Sequence, residues 1–155
     1  MKKHWPKFVF FVIVLLLYFL PSFIFPVDVE YYKSLNGPHL PSWMFMVMWT
    51  IIYITMSIFA TYYVFYPKEK RNAETKRIIV FLIVNYVLQA LYTPVFFKWH
   101  NLFLSYVIVL FTFITILIIA LESLLIDKKI TLLTLPYIIW SALASVISIL
   151  IYLQN

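Results

Sequence analysis

Five long apolar runs, separated by short polar breaks, set the pattern of the chain: 8–25, 42–66, 77–97, 102–126 and 130–154. A membrane-crossing helix needs about 20 mostly apolar residues, and each run is near or above that length. Charge or turn chemistry bounds every run. Lys7 precedes the first, and Pro26, Asp28, Glu30 and Lys33 follow it; Pro67-Lys68-Glu69-Lys70-Arg71 closes the second. Lys98-Trp99-His100-Asn101 parts the third from the fourth, and Asp127-Lys128-Lys129 is a short hinge before the fifth. The runs are continuous rather than two-fold periodic, which argues against barrel strands. The pattern predicts an all-α, integral-membrane bundle of five transmembrane helices, one domain over 1–155. The first run resembles a signal peptide in layout. Its apolar length and the bulky Pro21-Ser22-Phe23 at its end instead predict a retained helix.

Composition agrees. Hydrophobic residues make up 65% of the 155 positions and charged ones 12%, against roughly 45–50% and about 25% in soluble domains. Cysteine is absent, which excludes disulfides, thiolate metal sites and thiol redox chemistry. The single glycine, Gly37, excludes Gly-rich phosphate loops and GxxxG helix pairing. The net charge of +6 bears on orientation rather than on nucleic acid, which is not an expected partner. Ten basic residues (Lys2, Lys3, Lys7, Lys68, Lys70, Arg71, Lys76, Arg77, Lys128 and Lys129) fall on one side of a five-span layout. Only Lys33 and Lys98 fall on the other. The positive-inside rule then predicts a cytoplasmic N-terminus, with the C-terminus and the first loop outside.

Polar and aromatic residues inside the runs are the informative ones, because desolvating a polar group without a partner is costly. Trp5, Trp43 and Trp99 lie near span ends, as interfacial anchors do. Trp49 sits about 10 Å into its span at 1.5 Å per residue, and Trp140 is similarly deep. Such indole N–H groups want an acceptor or a cavity. Trp49, Tyr53, Met56 and Ala60 share a helical face, as do Tyr137, Trp140, Ala144 and Ser148; Asn85, Gln89 and Tyr92 stripe the third span. Facing stripes would line a pocket for a flat aromatic ligand. Stripes that glue helices are the alternative, favoured on physics alone for Asn85 and Gln89. His4, His39 and His100 all fall outside the runs, which leaves intramembrane Ser–His catalysis and bis-histidine haem ligation unsupported. No metal site or cofactor is expected. No acid pair lies mid-span, which weighs against proton-coupled transport. Glu122 is expected to snorkel or to pair with Lys128 or Lys129.

These residues resemble the TspO/MBR family of tryptophan-rich sensory and translocator proteins. The stretch Pro41-Ser42-Trp43-Met44-Phe45-Met46-Val47-Met48-Trp49-Thr50-Ile51-Ile52-Tyr53 is similar to the family's P-x-W-x-F-x-x-x-W-T-x-x-Y. Pro136-Tyr137-Ile138-Ile139-Trp140, followed by Ala144, resembles P-Y-x-x-W-x-x-F-A, with Leu143 in place of Phe. Asn85 matches the asparagine of N-x-x-W-S, where Leu88 and Gln89 replace W-S. Other departures are a first loop (Pro38-His39-Leu40-Pro41) without the family tryptophan and Ser148 at a common asparagine position. Tyr152 also has no basic residue after it, so a sterol-recognition pattern is missing.

The resemblance implies a five-helix bundle with a cavity under the first loop that binds porphyrins or other planar aromatic ligands. The expected ligand-binding residues are Tyr32, His39, Phe45, Trp49, Tyr53, Asn85, Gln89, Tyr137, Trp140 and Ala144. The main expectation is a protoporphyrin IX-type tetrapyrrole sensor or carrier. One alternative is a light-dependent protoporphyrin-degrading enzyme in which Trp49 and Trp140 act. The other is a small transporter or interaction protein without a porphyrin role. Membrane lipid is an expected partner, and a homodimer is left open. The first loop, 27–40, is expected to act as a lid, with Asp28 and Glu30 facing water. His39 is expected to meet ligand carboxylates as a protonated imidazole, the side chain that titrates between pH 5 and 8.

Overall fold

A computed structural model describes residues 4–155; Lys2 and Lys3 of the charge count lie outside them. The first span is α1 (Trp5–Ile24). A short helix, α2 (Val29–Ser34), lies in the first loop, and α3 (Ser42–Val64) is the second span. The third begins as α4 (Ala73–Thr93) and ends in a π-helical turn, Pro94–Lys98. The fourth is α5 (Leu102–Leu124). The fifth starts with a single turn, α6 (Lys128–Thr131), and a 3-10 turn, Leu132–Thr134, before α7 (Leu135–Gln154). Five helices are thus long and apolar enough to cross a membrane.

Local chemistry sets the helix starts. Asp28, Asn72, Asn101 and Asp127 each place a side-chain oxygen on a backbone N–H of the first turn, satisfying donors that a helix start leaves orphaned. The Asn72 cap is why the third span starts at Ala73 and not at 77. Pro21 lies inside α1 and has no N–H to offer the carbonyl one turn back. The Tyr86 hydroxyl of α4 donates to that carbonyl, Leu17 O, at 3.0 Å, so a proline defect becomes an α1–α4 contact.

The spans alternate in direction. The start of α1, the α3–α4 connection and the α5–α6 hinge therefore share one end, which carries Lys7, Lys68, Lys70, Arg71, Lys76, Arg77, Lys128 and Lys129. Polar ties hold this basic end together. Arg77 grips Glu122 with two bonds, 2.8 and 2.9 Å, and also reaches Glu74. Glu122 therefore pairs across α4 and α5 rather than with Lys128 or Lys129, because its helix face looks at α4. Tyr62 donates to Asp127 at 2.9 Å. That bond, with the backbone N–H groups of Ile130 and Lys129, holds the Asp127 carboxyl below its usual range. Behind it, the Tyr63 hydroxyl meets Ser123 Oγ at 2.7 Å, and Ser123 Oγ meets Thr131 Oγ1 at 2.7 Å.

The core is aromatic. Tyr53, Phe59, Tyr63, Tyr137 and Trp140 are buried with Ile52, Met56 and Ile116 between the spans. α4 and α5 pack closely, as do α5 and α7, while α1 leans on α3 and α4. The opposite end holds α2, the turn between the third and fourth spans, and the end of α7.

Candidate functional site: an aromatic cavity beneath the first loop

A cavity of about 500 Å3 opens at the α2 end of the bundle. One wall is α3, whose Phe45, Trp49 and Tyr53 recur every fourth residue and so share a face. Gln89, Tyr92 and Thr93 of α4 form a second wall, and Trp140, Ala144 and Ser148 of α7 a third. Phe19 and Ser22 of α1 close the side, and Tyr32 and Leu40 form the roof. The π-helical turn adds Phe96 and Phe97. In it Trp99 N–H donates to Pro94 O at 3.0 Å, and the wider turn rotates both rings away from the register α4 alone would give them.

The rings hold one another edge to face. Phe45 and Trp140 meet at 5.4 Å and 85°, Trp49 and Trp140 at 6.5 Å and 83°, and Tyr32 and Phe45 at 5.4 Å and 80°. Tyr53 is fixed by Phe19 at 4.9 Å and by a stacked Tyr18 at 5.4 Å. Edge-to-face pairs orient the rings beyond what area burial does, so the cavity wall is pre-shaped.

Few polar groups interrupt it. Gln89 Nε2 donates to the Tyr53 hydroxyl at 2.9 Å, while Gln89 Oε1 is buried without a partner among the described residues. Trp140 Nε1 is also buried and unpartnered. A buried polar atom left unpaired costs about 1–3 kcal/mol. Both residues line the cavity, while Asn85 Oδ1 and Tyr137 Oη, on residues outside its lining, are buried without a partner in the same way.

The first loop is built as a roof. Asp28 caps α2 by accepting from Tyr31 N at 2.9 Å, and Asp28 and Glu30 face outward. Tyr32 is buried in the roof and clamped twice. Its hydroxyl accepts from Leu40 N at 3.0 Å, and its carbonyl oxygen lies 2.7 Å from His39 Nε2. Tyr31 stacks on His100 at 3.8 Å. His100 itself holds φ of +51° at the turn after the third span. Burial raises both the Tyr31 and Tyr32 phenols above their ordinary range. Farther along, Asn36 N–H donates to Asn155 Oδ1 at 3.0 Å, and Asn155 Nδ2 returns to Asn36 O at 2.9 Å. Gly37 takes φ of +125° beside α7; a Cβ there would lie 3.2 Å from Ile151 Cγ1. The roof is therefore tied to the third span at one end and to α7 at the other.

Seven of the sequence-selected residues meet at this cavity: Tyr32, Phe45, Trp49, Tyr53, Gln89, Trp140 and Ala144. Three do not. Asn85 is fully buried one turn before Gln89, with Nδ2 donating to Thr112 O at 3.0 Å and Thr115 Oγ1 at 2.7 Å; it joins α4 to α5. Tyr137 is fully buried behind Trp49, 6.2 Å from it. His39 is exposed and serves the roof from outside. Trp5 and Trp99 remain exposed, while Trp43, also exposed, stands at the cavity rim. Residues missed from the sequence include Phe19 and Ser22, Leu40, Tyr92 and Thr93, the Phe96–Phe97 pair and Ser148. Tyr92 was on the polar stripe of its helix, and Pro94 signalled a break; nothing local marked Phe19 or Ser22.

Comparison with known proteins extends over almost the whole chain. The chain is 32% identical over 160 residues to the uncharacterized membrane protein YtaB of Bacillus subtilis, covering 100% of this chain and 99% of that protein. It is 29% identical over 145 residues to the tryptophan-rich protein TspO of Bacillus cereus, covering 90% of each. It is 27% identical over 127 residues to protein CrtK of Rhodobacter capsulatus, covering 81% of this chain and 78% of that protein. The model of the TspO/MBR family matches residues 8–153, a range that reaches into all five spans and contains the roof and the cavity lining. This multi-pass membrane protein belongs to the TspO/MBR family.

Proposed function

We propose that the chain binds a free-base tetrapyrrole of the protoporphyrin IX class in this cavity and acts as a sensor or carrier for it. The observation that carries the reading is the pairing of a pre-shaped aromatic wall with two unpartnered buried atoms of opposite kind. Gln89 Oε1 needs a donor and Trp140 Nε1 needs an acceptor. A free-base tetrapyrrole has pyrrole N–H donors, carboxylate acceptors and a flat face for Phe45, Trp49 and Tyr32. The volume of about 500 Å3 lies within the range of small-molecule sites. A free base carries no metal to ligate, so the ligand is held by shape, ring contacts and hydrogen bonds.

A second reading, light-driven degradation of the bound porphyrin, draws on the edge-on Trp49–Trp140 pair, 6.5 Å apart across the α3 and α7 walls. Both indoles are electron-rich and would flank an excited ligand. Titration of the purified protein with protoporphyrin IX, dark and illuminated, separates the readings. Saturable dark binding without spectral conversion supports the sensor or carrier. Conversion under light that is lost in Trp140→Phe supports the enzyme. Absence of binding in both conditions overturns both.

A further inference from the structure

The basic end of the bundle, opposite the cavity, holds a second hollow, of about 640 Å3, between α1 and the end of α3. Its surface is aromatic: Phe8 and Phe11 from α1, and Tyr62, Phe65 and Tyr66 from the end of α3 and the residues just after it. Phe10 meets Phe65 edge to face at 5.6 Å, which fixes the two elements against each other beside it. Two lysines stand in the same lining, Lys7 at the start of α1 and Lys70 in the turn Lys68–Lys70. They come from elements distant in sequence, and neither joins an ion pair among the described residues.

The neighbouring charges do not compensate them. Glu69 is exposed in the same turn. Asp127 does not line the hollow; its carboxylate accepts from Tyr62 at 2.9 Å and from Lys129 N at 2.9 Å. Arg71 is occupied with the carbonyl oxygens of Val64 and Tyr66. The hollow therefore joins two uncompensated cations to an apolar floor, at the end of two membrane spans where lipid phosphates lie.

We propose that this hollow is a binding site for an anionic phospholipid, with its phosphate between Lys7 and Lys70 and an acyl chain along Phe8, Phe11 and Phe65. A soluble anion would leave the aromatic floor in water, and a neutral lipid would leave the lysine pair without a counter-charge. A basic pocket between transmembrane helices is the expected receptor for an acidic headgroup, and each lysine adds about five-fold to such binding.

The test is native mass spectrometry of the full-length protein in detergent, titrated separately with phosphatidylglycerol and phosphatidylcholine. Wild type is compared with the Lys7→Gln/Lys70→Gln double variant. A second double variant, Lys76→Gln/Lys129→Gln, removes the same charge from the same end without touching the hollow. The expected result is a preference for phosphatidylglycerol of about ten-fold or more, lost in the first variant and kept in the second. Glycerol phosphate at millimolar concentration should leave it intact. Equal binding of the two lipids, equal loss in both variants, or displacement by glycerol phosphate would each overturn the proposal.

Discussion

Gln89 spends its amide N–H on the Tyr53 hydroxyl, 2.9 Å away, and keeps its carbonyl oxygen unpaired in the cavity wall. The bond ties α4 to α3 and fixes the amide within the wall. Gln89→Leu removes that acceptor at nearly constant volume. The expected effect is a loss of about 1–2 kcal/mol in protoporphyrin IX affinity, or about five- to thirty-fold, together with a lowered melting temperature from the broken Tyr53 bond between α4 and α3. Fluorescence titration measures it, and unchanged affinity would detach Gln89 from ligand recognition.

Trp49→Phe and Trp140→Phe should change porphyrin binding or turnover more than Trp5→Phe or Trp99→Phe. Phenylalanine preserves most of the apolar area but lacks the indole N–H and the electron-rich ring. Trp49 and Trp140 line the cavity, whereas Trp5 and Trp99 are 67% and 59% exposed at helix ends. Similar behaviour of all four variants would abandon the site.

Asn85→Leu should act on stability and not on binding. It removes two bonds to α5, and interhelical polar contacts in membranes contribute roughly 0.6–2 kcal/mol. A lowered thermal midpoint with unchanged porphyrin affinity is the expected pair of results. A drop in affinity at an unchanged midpoint would move Asn85 into the site.

His39→Ala should weaken porphyrin binding modestly, and by a similar factor at pH 6 and pH 8. Its Nε2 faces the Tyr32 carbonyl at 2.7 Å, and an Nε2–H donor is available in both the neutral tautomer and the imidazolium. The histidine thus works on the roof in either protonation state. Faster hydrogen exchange at Tyr32 and its neighbours in the variant would report the loosened roof. A loss confined to pH 6 would instead place a charged imidazole against the ligand carboxylates.

For orientation, we propose that the basic end faces the cytoplasm and the roofed cavity faces outward, on the ten-to-two split of Lys and Arg. Reporter fusions at the two termini should give a cytoplasmic signal at the N-terminus and an outside signal at the C-terminus. The reverse pattern would invert the cavity and carry the lipid site with it.

The one-dimensional pattern was enough for the five spans, because the cost of placing polar residues in a bilayer confines them to the breaks between apolar runs. Asn101 and Asp127 stood in the breaks between runs, where they cap α5 and α6, but the Asn72 cap that starts α4 four residues before its apolar run was not read from the sequence. Helical periodicity put Trp49 and Tyr53 on one face, and Trp140 and Ala144 on another, because side chains three or four apart must share a face. Periodicity says nothing about what that face meets. Asn85 and Gln89 lie on the same stripe of α4, yet one bonds Thr112 and Thr115 of α5 and the other bonds Tyr53 of α3 and lines the cavity; which helix packs against each turn of α4 separates them. Phe19 and Ser22 join the wall only because α1 leans across α3 and α4. The roof is also a tertiary product: Tyr31 on His100 and Asn36 on Asn155 are contacts between loop and helix ends brought together by the bundle, and no local energy term encodes them.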